Sequence, residues 1–425
     1  MYQIQNSAQL FRGLRRLRSR ERLVPGVGKA VFLLGLTSFF TDVSSEMVAT
    51  VLPIYLVYTL GFTPLQYGLV DGLYQGAATV VRLASGLVGD RWRRHKEVAV
   101  LGYGLSALSR PLLLFAGGPA ALSGVVVVDR IGKGIRTAPR DALISLNAKR
   151  EALGSAFGVH RAMDTAGAML GPLIAFSLLA LAPDSFDTIF LVSFLVALVG
   201  LAVLVLFVEN PPVDEDEAGP VAVSAPPVSL RAAAGLLAAP RFRALVLVGI
   251  ALALATVSDG FVYLGLQRRL DFDVTYLPLL YVGTALTYMF LAVPVGRLAD
   301  RIGRGRVFLA GYLLLLLVYA SLLVEWTGAA GVLLALLLLG TYYAATDGVL
   351  MALASAVLPP TLRGSGLALL TTGTTLSRLL SSVLFGAVWT AFGIRTAIVV
   401  FAIGLALAGL TAAVLLRRTP EVSPA

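Results

Sequence analysis

Gly86-Leu87-Val88-Gly89-Asp90-Arg91-Trp92-Arg93-Arg94 closes one long apolar segment and is followed by another. The pattern returns 210 residues later as Gly296-Arg297-Leu298-Ala299-Asp300-Arg301-Ile302-Gly303-Arg304, again between apolar segments. A second match keeps the same offset: Leu153-Gly154-Ser155-Ala156-Phe157 against Arg363-Gly364-Ser365-Gly366-Leu367. Two different stretches repeating at one spacing imply a chain of two related halves. A repeat this long, built from spanning segments, is how many membrane carriers are made.

The composition points the same way. With 57% hydrophobic and 14% charged residues and a mean hydropathy of +0.85, the chain is too apolar for a soluble protein of 425 residues. Runs of about 20 apolar residues, each enough to cross a bilayer, follow one another. Twelve are read, at 30–59, 66–89, 98–117, 120–146, 153–182, 187–208, 243–266, 275–299, 306–325, 329–358, 364–391 and 395–416. Turns rich in Gly and Pro separate them, as at Gly61-Phe62-Thr63-Pro64. The organisation expected is a basic cytoplasmic segment (1–29), a six-helix bundle (30–208), a linker (209–242), a second six-helix bundle (243–416) and a tail (417–425). The linker carries the acidic run Asp214-Glu215-Asp216-Glu217 and then Pro220, Pro226 and Pro227, without clear periodicity, and reads as a solvated tether.

Lys and Arg in the loops set the orientation. With the N-terminus inside, the inner segments hold 22 of them and the outer loops only Arg268, Arg269 and Arg395. Both termini are therefore expected in the cytoplasm, with the chain in the cell's inner membrane. This distribution accounts for most of the +10 net charge without a nucleic-acid partner. There is no cysteine, which excludes disulfides and thiolate metal sites. No metal, cofactor or enzymatic chemistry is expected. Gly132-Lys133-Gly134 is no phosphate loop, because the upstream glycine and the following Ser or Thr are missing.

The Gly86…Asp90-Arg91…Arg93-Arg94 loop resembles the signature loop of the major facilitator superfamily, and its copy at 296–306 sits where that family repeats it. The resemblance covers essentially the whole chain. It implies an all-α integral membrane protein with twelve helices in two pseudo-symmetric six-helix bundles. It also implies a cytoplasmic gate at Gly86, Asp90 and Arg91 and at Gly296, Asp300 and Arg301. There the glycines would let helices approach and the acids would pair with Arg or a helix N-terminus. Gly167-Ala168-Met169-Leu170-Gly171-Pro172 is similar to the family's antiporter motif, although Ala175-Phe176 stands where a glycine pair is usual. Read as residues alone, Gly167 and Gly171 form a packing face and Pro172 a point of bending. Arg130-Ile131-Gly132-Lys133-Gly134 is similar to the segment-4 arginine motif of proton-coupled drug exporters. Lys133 replaces a glutamine and Arg136 a small residue, which adds positive charge.

Charges within a bilayer are costly and mark a partner or a wet cavity. Here most lie in the first half: Asp42, Glu46, Asp71, Arg82, Arg110, Asp129, Arg130, Lys133, Arg136, Arg140, Asp141, Arg161 and Asp164, with His160 beside them. The second half offers Asp259, Asp347 and Arg378. The asymmetry assigns ion coupling to the first half and cavity shape to the second. Asp42 and Glu46, one helical turn apart, share a face and are suited to take up and release a proton. Antiparallel running of segments 4 and 5 brings Arg130 or Lys133 to the depth of Asp164, where an ion pair is expected. Either that group couples protons, with Asp42, Glu46, Arg130 and Asp164 as its members, or the charges hold a permanent network between helices.

The function expected is export of a small amphipathic molecule by a monomeric, proton-coupled antiporter, with Tyr281, Tyr288, Lys133 and Arg136 lining the substrate cavity. The alternative is an importer or exchanger of an anionic metabolite held by Lys133, Arg136 and Arg130. A non-transporting receptor would need an output domain that this sequence lacks.

Overall fold

Proline and glycine set many of the helix ends, because proline opens a helix without needing its missing donor and glycine takes the left-handed turn that ends one. In the computed structural model, described for residues 28–92, 94–148, 152–209, 235–324, 329–359 and 362–417, every regular element is helical. The side chains of 80, 82–92, 364 and 417 lie outside that description. Helix α1 (Lys29–Ile54) has Pro53 in its last turn and continues as a π turn, Tyr55–Thr59. Gly61, at φ +66, turns the chain, and α2 (Pro64–Trp92) starts on Pro64. There follow α3 (His95–Leu112), α4 (Pro119–Leu146, opening on its proline), α5 (Leu153–Leu181) and α6 (Phe186–Phe207).

The second half runs α7 (Pro240–Leu254), α8 (Asp259–Leu270), α9 (Leu277–Ile302), α10 (Arg304–Leu323), α11 (Ala329–Val357) and α12 (Arg363–Arg417). Helix α12 is two helices joined across Gly393, which stands at φ +82. Among the described residues nine stretches are long and apolar enough to cross a membrane. Helices α2 and α4 are as long, 29 and 28 residues, but carry the charges that hold their hydropathy down.

The run 243–266 falls within one apolar stretch long enough to span, Pro240–Leu270, but it is broken: α7 stops at Leu254, and Ala255–Ser258 passes non-helically before Asp259 starts α8. Backbone groups freed at membrane depth need partners, and here they have them. Tyr319 Oη accepts from Val257 N (2.7 Å) and donates to Ala255 O (3.0 Å), while Ser381 Oγ donates to Thr256 O (2.6 Å). Asp259 in the first turn of α8 suits the positive end of its dipole. Most of the expected linker, 210–234, lies outside the described residues.

Tight packing comes from small residues, since in lipid the apolar effect does not hold helices together. Helix α1 lies against α5 and α6, α2 against α4 and α12, α9 against α11, and α7 against α12. We call the end where the chain enters α1 near, and the opposite end far. The contacts joining residues 28–209 to 235–417 lie toward the far end or at mid-depth. Tyr58 Oη bonds Gln267, Leu65 N donates to Thr390 Oγ1 (2.9 Å), and Tyr67 packs on Phe261 at 4.7 Å between ring centres. A Cβ on Gly72 would stand 2.7 Å from Leu379 O, so α2 and α12 meet backbone to backbone. Among the described residues, then, the halves meet at the far end and at mid-depth.

Candidate functional site

Helix α1 is the axis of the site, and the glycines of α5 bring it there. A Cβ on Gly171 would lie 2.7 Å from Val43 O and 2.9 Å from Glu46 Cβ, and one on Gly167 would strike Phe39 O. The small-residue face of the Gly167–Pro172 motif therefore packs on the turn of α1 that carries Asp42 and Glu46. Pro172 itself reaches a cavity wall.

Asp42 and Glu46 share that turn but look into different surroundings. Asp42 points into the α1–α4–α5 junction, where its carboxyl lies beside that of Asp164 and 3.9 Å from Arg136 Nη2. Asp164 is also 3.5 Å from the exposed Arg161. His160 Nε2, 2.9 Å from Ser38 Oγ, lies buried beside this junction. Glu46 opens instead onto the centre of the molecule, and no cation among the described residues lies within 4 Å of it.

The expected pairing of Arg130 or Lys133 with Asp164 does not occur. Arg130 turns away from α5: its Nε donates to Asp129 Oδ2 (2.8 Å), its Nη2 bonds the same oxygen, and its guanidinium stacks 3.6 Å from the centre of the Tyr74 ring. Asp129 Oδ1 takes Arg110 Nη1 at 2.9 Å, and Arg110 Nη2 donates to Ser45 Oγ at 3.0 Å. Arg110, Asp129 and Arg130 are each 3% exposed, so this is a buried triad that ties α3 and α4 to α1. Lys133 has no ion-pair partner among the described residues, and Arg136 lies over the Tyr103 ring at 4.7 Å. Arg140 pairs with its neighbour Asp141 at 2.9 Å.

Two adjoining cavities, of about 300 and 320 Å3, lie between the halves and share Glu46, Asp259, Tyr281 and Tyr343. Tyr281 lines both and Tyr288 the second, whereas Lys133 and Arg136 line neither. The cavity walls add residues the sequence reading left without a role: Asp71 and Gln75 from α2, Asp259 from α8, Asp347 from α11 and Arg378 from α12. Asp259 accepts from Tyr343 Oη (2.6 Å), Asp71 from Ser382 Oγ (2.6 Å) and Gln75 Nε2 (2.9 Å), and Arg378 stands 3.9 Å from Asp347. Four carboxyls thus face one guanidinium around a tyrosine-rich space. The polar run Thr256-Val257-Ser258-Asp259-Gly260 inside an apolar stretch was the signal that could have found both the helix break and this wall.

Of the gate residues, Gly86, Asp90 and Arg91 have side-chain positions outside the described set. In the second copy a Cβ on Gly296 would meet no described atom within 4 Å. Asp300 pairs with Arg304 one turn on, Oδ1 to Nε at 2.9 Å, and both are solvent-exposed.

The sequence profile of the Major Facilitator Superfamily matches residues 34–283 and 260–425. An uncharacterized MFS-type transporter of Methanocaldococcus jannaschii is 31% identical over 372 residues, covering 85% of this chain and 89% of that protein. An uncharacterized protein of Mycobacterium bovis is 35% identical over 37% of this chain and 38% of its own length. Among solved structures, the nucleoside transporter NupG superposes with a TM-score of 0.75 at 16% identity, over 92% of this chain and 100% of that one. A bacterial homologue of the human lysosomal transporter Spinster, inward-facing and unoccupied, gives 0.70 at 16% identity, over 93% and 98%.

Proposed function

The chain belongs to the major facilitator superfamily and is a membrane transporter, and on that premise we propose a proton-coupled antiporter that exports a small amphipathic cation by alternating access. In this reading twelve helices form two six-helix halves about an axis along the membrane normal, as in carriers built from parallel repeats. The near end is cytoplasmic, in keeping with the bias of Lys and Arg toward that side.

The observation that carries the proposal is the position of Glu46. It is the only carboxyl among the described residues that both opens on the shared cavity space and lies one turn from the Asp42–Asp164 contact. A cationic substrate and a proton therefore compete for neighbouring carboxyls, and such competition is the basis of exchange. Asp42, Asp164 and Glu46 take and release the proton. Arg130 acts at one remove, holding Asp129 so that α4 keeps its position behind α1. A charge driven across about 100 mV brings about 2.3 kcal/mol to the cycle. When the near end closes, Asp300 would exchange Arg304 for a partner across that end, as the repeated sequence implies for Asp90. The acid-rich walls and the absence of Lys133 and Arg136 from them favour a cation over an anionic metabolite.

The test is proton flux in proteoliposomes carrying a lumenal pH dye. Tetraphenylphosphonium or ethidium should move protons through the wild type, and Glu46→Gln should lose this response while staying folded, since the amide copies the shape but holds no exchangeable proton. Flux with organic acids and none with either cation would sink the antiporter reading in favour of the anion carrier.

A further inference from the structure

Asp71 stands apart from the α1–α5 junction. It lies about two turns into α2 from the far end, in the wall of the cavity, and its bonds cross between the halves. Ser382 Oγ of α12 donates to Asp71 Oδ2 at 2.6 Å, and Gln75 Nε2, from Asp71's own helix, bridges to both at 2.9 and 3.3 Å. The glycines on either side seat it: Gly68 and Gly72 of α2 run directly over the backbone oxygens of Ser382 and Leu379. Helices α2 and α12 can therefore separate at the far end only if the Asp71–Ser382 bond breaks.

The charged and titratable groups around it are known from every side. Its own helix presents Tyr67 and Tyr74, α1 presents Glu46, α8 presents Asp259 next to Ser258, α9 Tyr281, α11 Tyr343 and α12 Arg378. The one cation among them, Arg378, is placed near Asp347, and no cation among the described residues comes within 4 Å of Asp71. Ser258 Oγ is buried beside it and makes no hydrogen bond of good geometry, although it and the Tyr67 hydroxyl both lie close to the Asp71 carboxyl. Asp71 thus has hydroxyl and amide donors but no counter-ion.

We propose that Asp71 is a second proton-binding site of this protein, separate from the Asp42–Asp164–Glu46 group, and that taking up a proton there loosens the bond to Ser382 and lets the far end open. A bond accepted by a carboxylate is roughly twice as strong as one accepted by a neutral carbonyl. Protonation therefore weakens the link between the halves without removing any atom. A protonated carboxyl can also donate to the Ser258 Oγ beside it. The proposal rests on the alternating-access reading above, but it needs neither a substrate nor proton exchange at Glu46.

The chain contains no cysteine, so introduced labels report without a background. Thr59→Cys and Ala391→Cys place spin labels on exposed positions of the two halves at the far end. Distances between them, measured by pulsed electron resonance in lipid nanodiscs without substrate, should lengthen on acidification, with about a tenfold change in the open-to-closed ratio. Asp71→Asn should give the long distance at alkaline pH and no response to acid. Ser382→Ala, which spares the carboxyl, should raise the open fraction at alkaline pH and blunt the response. A response that survives Asp71→Asn, or that is absent from the labelled parent, overturns the proposal. Failure of cation-driven proton flux in the proteoliposome assay would leave these distances readable, so the two readings fall separately.

Discussion

Asp129→Asn isolates what the buried triad does for the fold. In the native protein each carboxylate oxygen serves one guanidinium: Oδ1 takes Arg110 Nη1 at 2.9 Å and Oδ2 takes Arg130 Nε at 2.8 Å, with all three residues 3% exposed. Asparagine keeps one acceptor and turns the other into an amide that points donors at a guanidinium. One buried arginine loses its counter-ion, which costs about 3–5 kcal/mol when water cannot replace it. Unfolding entropy of about 2.1 cal/mol/K per residue, over 425 residues, converts that loss into a fall of roughly 3–6 °C in melting temperature. Thermal unfolding followed by tryptophan fluorescence in detergent reads it. Arg110 also reaches Ser45 on α1, so the loss should be partly recovered in Asp129→Asn with Arg110→Gln, which removes the stranded charge. A single mutant that melts with the wild type would refute the reasoning, since it would mean that water or lipid headgroups already solvate the triad.

Arg378→Gln should behave in the opposite way. Its pair with Asp347 is at 3.9 Å with the two side chains 36% and 50% exposed, a geometry worth about 0–1 kcal/mol, so melting should hardly move while transport of cations changes. Gly72→Leu should push α12 away, because its Cβ would stand 2.7 Å from the Leu379 carbonyl. Overpacking of about 1–3 kcal/mol against the closed far end should raise maleimide labelling of a far-end cysteine by about fivefold or more, and unchanged labelling would count against closure there. Lys133→Gln should keep cation-driven flux, since Lys133 lines neither cavity and has no ion-pair partner among the described residues. A stable Lys133→Gln protein with selectively weakened affinity for organic anions would restore the anion-carrier reading.

How far the sequence could be read depended on the range of the interaction involved. The repeat at 210 residues and the lengths of the apolar runs report on a solvent, the bilayer, that acts on every segment alike, and so the helical membrane fold was legible. The helix break at Ala255–Ser258 was not, because averaging over a span hides four residues whose backbone is satisfied by Tyr319 and Ser381, distant in sequence. Charge partners were read from depth and helical face, which placed Arg130 opposite Asp164. An arginine side chain is long enough to choose among neighbours at one depth. Here Asp129 beside it and the Tyr74 ring across from it won over a carboxyl on α5.

The same point explains why the candidate cavity draws on both halves although the charges are concentrated in one. In the first half most of them find each other: Arg110 and Arg130 converge on Asp129, Arg140 takes Asp141, and Asp42 shares its place with Asp164 near Arg136. What the first half leaves facing the centre is Glu46 and Asp71. The second half brings Asp259, Asp347 and Arg378 into the cavity walls, two carboxyls and one guanidinium that cannot neutralise one another fully. A charge that its own half cannot satisfy is the one available to something that moves. By that argument Glu46, Asp259 and Asp347 meet the cargo, Asp71 joins the halves, and the dense basic stripe of α4 holds the scaffold behind them.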